Sequence, residues 1–146
     1  MADHLQDQIM AAMRQIIIDA ATAAGSNVVV DGVDEVPSGQ TDSIEIEAGA
    51  EEVESTTVTF PANQLRVFAI GVKCTVVRKA DWRTAAGNLC KEVEKAMSAT
   101  VSTYTAGGLA SGGIRYQGSA PDKDGTAEKV VYSITQTWLA QYRCIA

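Results

Sequence analysis

Between Leu65 and Lys79 the chain reads LRVFAIGVKCTVVRK, and no other stretch limits the fold as strongly. Phe68, Ile70, Val72, Cys74 and Val76 form an unbroken apolar row at every second position, bracketed by Arg66 and Arg78. The intervening positions (Leu65, Val67, Ala69, Gly71, Lys73, Thr75, Val77) are smaller and mixed. Side chains on a strand alternate between faces, so one face belongs in a core and the other is only partly covered. About thirteen residues at roughly 3.3 Å each reach about 43 Å, long for a small domain. The stretch is expected to be the central strand of a sheet, with two helices packed against it.

A chain of 146 residues, 46% hydrophobic and 21% charged, suits one domain with a single core spanning residues 1–146. No apolar run approaches the roughly 20 residues of a membrane helix. The polar, acidic opening MADHLQDQ does not read as a secretory signal. Cys74, Cys90 and Cys144 are odd in number and lack CxxC spacing, and the first two fall on apolar faces. Buried free thiols in a reducing cytoplasm fit them better than a disulfide or a metal site.

The net charge of −6 is unevenly placed: ten carboxylates and no Lys or Arg lie between Arg14 and Arg66. A protein that grips nucleic acid would carry the opposite sign. The acidic stretch reads either as a solvated face that keeps the chain soluble or as a surface that repels phosphate where DNA must pass.

In chain order, Asp3 and Gln6 form a capping-box pattern, and Leu5, Ile9, Met13, Ile16, Ala20 and Ala23 follow at helical spacing up to Gly25. VVVDGVDEV begins as a short strand at Val28 and turns at Asp31-Gly32; Pro37, Ser38 and Gly39 make a loop. Ser43 to Ala48 alternates as a half-buried strand with carboxylates on its open side. Residues 49–64 have weak periodicity and read as an extended arm or hairpin rather than a packed element.

After the central strand, Asp81 caps a second helix with Ala86, Leu89, Val93 and Met97 as its buried stripe and Lys91, Glu92, Glu94 and Lys95 toward water. Gly87 inside it costs about 1 kcal/mol against Ala, and close approach to the sheet or to a neighbouring subunit would explain its use. Gly107 to Gly113 lacks the Lys-Ser/Thr of a phosphate loop and reads as a flexible turn. Ile114 to Ala120 is expected as a strand, PDKDG (Pro121 to Gly125) as a turn without calcium-loop spacing, and Glu128 to Arg143 as a long strand. Its apolar face (Val130, Tyr132, Ile134, Trp138, Ala140, Tyr142) is interrupted only by Gln136. The fold class expected is α+β: a mixed, mainly antiparallel sheet of about five strands with two helices on one face, in the order α-β-β-β-α-β-β.

Chemistry is poorly provided for. His4 is the only histidine and sits in the first helical turn, so neither a Ser-His-Asp nor a Cys-His arrangement is supplied. HExxH, GxSxG and zinc spacings are missing, and adjacent Glu51 and Glu52 point to opposite faces of a strand. No catalysis, cofactor or metal is expected.

The succession of stretches resembles the tail terminator (minor tail protein U-like) family of long-tailed bacteriophages. The likeness is carried by the opening amphipathic helix, IEIEAGAEEVE (Ile44 to Glu54), LRVFAIGVKCTVVRKADW with the helix containing CKEVEKAM, and above all GGLASGGIRYQGSAPDKDGTAEKVVYSITQTWLAQYR. It covers nearly the whole chain in order; the glycine-dense Gly107 to Gly113 segment and the cysteines depart from the family pattern. The resemblance implies a virion structural protein, assembled in the host cytoplasm. It would form a homo-oligomeric ring of six subunits on the head-proximal end of the tail, stop polymerisation of the tail tube protein, and present a surface to the head-tail connector protein. DNA would pass through the ring without sequence-specific binding, and no membrane is involved. On that reading Glu45, Glu47, Glu51, Glu52 and Glu54 are candidates for the lumen or an acidic surface. Trp82, Tyr104, Leu109, Arg115 and Arg143 are candidates for subunit or tube contacts; Trp138 and Tyr142 serve either there or in the core. Another neck or tail-completion ring protein, or a small monomeric ligand-binding domain, are the alternative readings.

Overall fold

The computed structural model describes residues 5–20, 22, 24, 28–30, 42–56, 63–78, 80–100, 109–125 and 130–145. Helix α1 (Leu5–Asp19) is followed by strands β1 (Val28–Val30), β2 (Asp42–Thr56) and β3 (Asn63–Arg78). Helix α2 (Trp82–Thr100) then leads to β4 (Leu109–Gly125) and β5 (Val130–Ile145). The five strands make one sheet in the order β1-β2-β3-β5-β4, antiparallel except where β1 runs beside β2. Both helices pack on the same face, so the α+β class and the element order are as the sequence indicates.

β3 is central, with β2 on one side from Gln64 to Val76 and β5 on the other from Asn63 to Arg78. Phe68, Ile70, Val72, Cys74 and Val76 are all at 0% exposure beneath the helices, whereas Val67 to Val77 on the other face are half-buried. Burying each of the larger apolar side chains of this row contributes about 1.5–3 kcal/mol, which fixes the register: a one-residue slip would turn the whole row outward.

The buried face of α1 is shifted from the expected stripe. Ile9, Met10, Met13 and Ile17 are buried, Ile16 is only partly so, and Ala20 is exposed. The helix lies between the β1–β2 edge and α2, and two neighbours bury a wider arc than one. Asp3, Ala23, Gly25 and the loops at Asp31-Gly32 and Pro37 to Gly39 lie outside the described residues. Arg14 Nε donates to the Val28 carbonyl at 2.8 Å and ties α1 to β1.

α2 begins as expected at Asp81, whose carbonyl accepts the Ala85 N–H at 2.9 Å, and whose φ of 59° is a left-handed conformation that aspartate tolerates. Ala86, Leu89, Val93 and Met97 are buried, joined by Cys90 and Ala96; Lys91 and Lys95 are exposed, and Glu92 and Glu94 are half-buried. A Cβ at Gly87 would meet nothing within 4 Å, so close approach to the sheet does not account for this glycine.

Of the two readings of residues 49–64, arm or hairpin, the structure has the hairpin: Gly49 to Thr56 continues β2 and pairs with β3 as far as Thr56↔Gln64, with irregularities after Ala48 and Val53. Gly49 fits there because a Cβ would come 2.9 Å from the Ala69 carbonyl oxygen. Two other local expectations are corrected. Pro121 to Gly125 is strand, paired from Pro121↔Ile134 to Gly125↔Val130, and Leu109 to Gly113 opens β4 rather than forming a turn. β4 is an edge strand, where a proline is tolerated because its missing N–H can point away from the ladder. The long ladder offered by β5 therefore overrides local turn propensity.

Candidate interaction surfaces

Among the described residues only one face of the sheet carries helices; the other is mixed, polar through its middle and apolar toward its ends at Val77–Val131 and Ala69–Leu139. Cross-strand rows run Ser43–Thr75–Ser133–Asp122, Glu45–Lys73–Thr135–Ala120 and Glu47–Gly71–Thr137–Gly118. Hydroxyls and small residues dominate, with Glu45 and Glu47 on one flank and Lys73 between the carboxylates and the threonines.

The five glutamates singled out in the sequence do not form one surface. Glu45 and Glu47 lie on the open face, and Glu52 pairs with Val67 through its backbone. Glu51, opposite Phe68, is on the helix-side face, where it pairs with Arg66 at 3.3 Å. The irregularity after Ala48 changes the alternation, which an even-odd reading of IEIEAGAEEVE does not reveal. The side chains of Glu52 and Glu54 lie outside the described residues.

Beyond the core, the helix-side face of β2 and β3 thus becomes polar at Glu51 and Arg66, two positions before the fully buried Phe68. At the opposite end Arg78 meets Asp42 at 2.8 Å and pins the start of β2 to the end of β3.

Trp82 is half-buried at that same end, beside the Val76 row of the sheet. Its ring lies 4.7 Å from Tyr132 at an interplanar angle of 47°, and the Lys123 ammonium stands 4.7 Å from its centroid. The Arg83 guanidinium lies 5.4 Å from the same centroid. Lys123 and Arg83 are exposed. Arg115 is exposed on the open face opposite Leu139, far along β4 from Trp82. Leu109 pairs with Tyr142 and Arg143 with Leu65 through their backbones; the side chains of all three of Leu109, Tyr142 and Arg143 lie outside the described residues, as does Tyr104 altogether. Sequence reasoning missed Lys123 because PDKDG reads as a turn; once it is strand, register places Lys123 opposite Tyr132.

Trp138 belongs to the core and makes an edge-to-face contact with Tyr116 at 5.3 Å. Tyr116 is 43% exposed. Gln136, the one polar interruption of the β5 apolar face, is 1% exposed and fully engaged. Its amide donates to the Cys90 carbonyl at 3.1 Å and to Glu94 Oε1 at 3.5 Å, and its oxygen accepts from Trp138 Nε1 at 3.2 Å.

Cys74 and Cys90 are free and buried, as the sequence indicates. The Cys74 thiol donates to Cys90; that bond and burial hold Cys74 well above the usual thiol range, while the same bond lowers Cys90. Among the described residues no group of His, Cys, Asp and Glu is arranged to hold a metal ion, and no helix is long and apolar enough to cross a membrane.

These surfaces define an extended-sheet α+β domain with one helix-covered and one open face. The same fold occurs in a chain from a solved structure described as "Virion of native gene transfer agent (GTA) particle", with a TM-score of 0.56 and 18% identity. The likeness covers 98% of this chain and 100% of that one. No protein-family description and no curated protein matches this chain.

Proposed function

We propose that this chain is a virion structural protein, and within the virion a tail terminator. Six copies form a ring on the head-proximal end of the tail, stop tail-tube growth and offer a surface to the head-tail connector. The observation that carries the reading is the end-to-end fold likeness to a chain of a virion, in which neither chain has a substantial part left over. The succession of strands and turns that resembles tail terminators narrows it further.

On this reading the open face, with Glu45 and Glu47, faces the passage for DNA. Phosphates then meet carboxylates and hydroxyls interspersed with Lys73 and Arg115 rather than a continuous basic track, so DNA slides without being held. The protein contributes shape and no catalytic step.

The test is electron microscopy of tail tubes assembled with and without the protein. Tubes of fixed length in its presence and of unlimited length in its absence are the expected result. Tubes unchanged by it would end the proposal; binding to connectors but never to tube ends would favour another neck or tail-completion protein.

A further inference from the structure

Two thiols meet where α2 crosses the sheet. Cys74 lies in the buried row of β3, opposite Ile134 of β5, and Gln136 is two positions further along β5. The Gln136 amide donates to the Cys90 carbonyl at 3.1 Å, which seats this turn of α2 over that part of the sheet. The hydrogen bond from the Cys74 thiol to Cys90 completes the contact. Both cysteines are free and both belong to the core.

Their positions are unequal. Cys74 is at 0% exposure and Cys90 at 8%, so a small solute reaches Cys90 first. The bond accepted from Cys74 lowers Cys90, against burial and the Glu94 charge, which both push it up. That same bond, with burial, keeps Cys74 protonated. Thiolate character and access decide which cysteine an oxidant attacks, and an adjacent thiol decides what the product becomes.

Cys144 does not compete for either partner. It pairs with Gln64 through the backbone, ten positions of β3 away from Cys74. At roughly 3.3 Å per residue that is about 33 Å, far beyond the reach of a disulfide.

We propose that Cys74 and Cys90 are a redox pair, which a peroxide oxidises to a disulfide that staples α2 to β3. Cys90 attacks as the thiolate: its sulfur takes one oxygen of the peroxide, the O–O bond breaks, and the other oxygen leaves as hydroxide. Cys74 then attacks the sulfur of that sulfenic acid. The S–S bond forms, the S–O bond breaks, and the hydroxyl departs as water with the Cys74 proton. Two electrons pass from the thiols to the peroxide, and a dithiol reductant restores them. The new bond closes a loop of about 15 residues, which restricts the unfolded chain while the sheet keeps its pairing. The chemistry stands apart from the function proposed above; its timing, reduced during assembly and oxidised after the particle leaves the cell, rests on that reading.

The test uses the full chain carrying Cys144→Ser, folded and treated with hydrogen peroxide. The product is expected to be a single chain lighter by two hydrogens, with no free thiol after denaturation and one cross-linked peptide pair joining Cys74 to Cys90. Its Tm is expected to rise by at least about 5 °C and to fall back on reduction with dithiothreitol. Cys74→Ala is expected to stop at a sulfenic acid on Cys90, trapped by dimedone, and Cys90→Ala to leave Cys74 unmodified at the same dose. Mass and thiol count need no substitution in the core, so they decide the matter even where a variant fails to fold. Retention of both thiols, addition of oxygen in place of hydrogen loss, a bond that forms only in urea, or a lowered Tm would each overturn the proposal. Oxidation of Cys74 in the Cys90→Ala variant would do so too. None of these results touches tube length, so their failure leaves the proposed function standing.

Discussion

Replacing Gln136 with leucine should expose how the sheet and α2 are locked together. Leucine matches glutamine closely in volume, so little cavity forms; what changes is hydrogen bonding. Trp138 Nε1, at 3.2 Å from the Gln136 oxygen and in a 4% exposed residue, loses its acceptor. The Cys90 carbonyl loses the amide donor at 3.1 Å but keeps its place in the helical ladder. An orphaned buried donor costs about 1–3 kcal/mol, and Gln136→Leu should cost that much. Trp138→Phe should cost a similar amount, since it orphans the Gln136 oxygen and also removes ring area. The double variant removes both partners at once and should be less destabilised than the two singles summed, by at least about 1 kcal/mol. Urea unfolding followed by far-ultraviolet circular dichroism is the assay, since tryptophan fluorescence changes with the substitution itself. A loss of about 2 kcal/mol moves the urea midpoint by roughly 1 M. Additivity of the two singles to within about 0.5 kcal/mol would refute the reasoning, because residues sharing a buried hydrogen bond cannot behave independently.

Gly87→Ala should raise the stability of the single chain by about 1 kcal/mol and its Tm by roughly 3 °C, since the added methyl meets nothing; a fall in Tm measured calorimetrically would contradict the open space at that position. Gly49→Ala should act oppositely, losing about 1–3 kcal/mol in urea unfolding because its Cβ would press to 2.9 Å from the Ala69 oxygen. Arg66 and Phe68 share a face two residues apart, yet Phe68→Ala should cost about 3–5 kcal/mol and Arg66→Ala less than about 1, since the Arg66–Glu51 pair is partly exposed. Equal losses would mean that the helices cover more of the sheet than its Phe68 row.

The parts of the fold that were legible in the sequence are those governed by periodicity over many residues. The Phe68 to Val76 row announced the central strand because a side-chain period of two, held for nine residues, has no helical interpretation. The stripe Ala86, Leu89, Val93 and Met97 announced α2 in the same way. Pro121 to Gly125 was illegible because Pro, Asp and Gly carry strong local turn preferences, and nothing in five residues reveals that β5 lies alongside with unfilled ladder positions. The acidic stretch was legible in charge but not in facing, since the irregularity after Ala48 moves Glu51 away from Glu45 and Glu47. Trp82 stood out as an aromatic, whereas its companions Lys123 and Tyr132 come from strands remote in sequence. Composition alone could not join them.

The order of pairing across the sheet also sets when the molecule can be finished. β3 meets β2 through a short hairpin but meets β5 only through partners such as Arg66 and Tyr142, which are separated by most of the second half of the chain. Until β5 leaves the ribosome, β3 has a vacant side and β4 has nothing to lie against. The unfinished chain therefore displays ladder groups and an oily row to its surroundings, and a nonsense codon anywhere ahead of Val130 leaves that display permanent. Folding of this domain therefore waits on the emergence of β5, and a chaperone that shields the chain until that step would govern yield more than any single contact in the completed sheet.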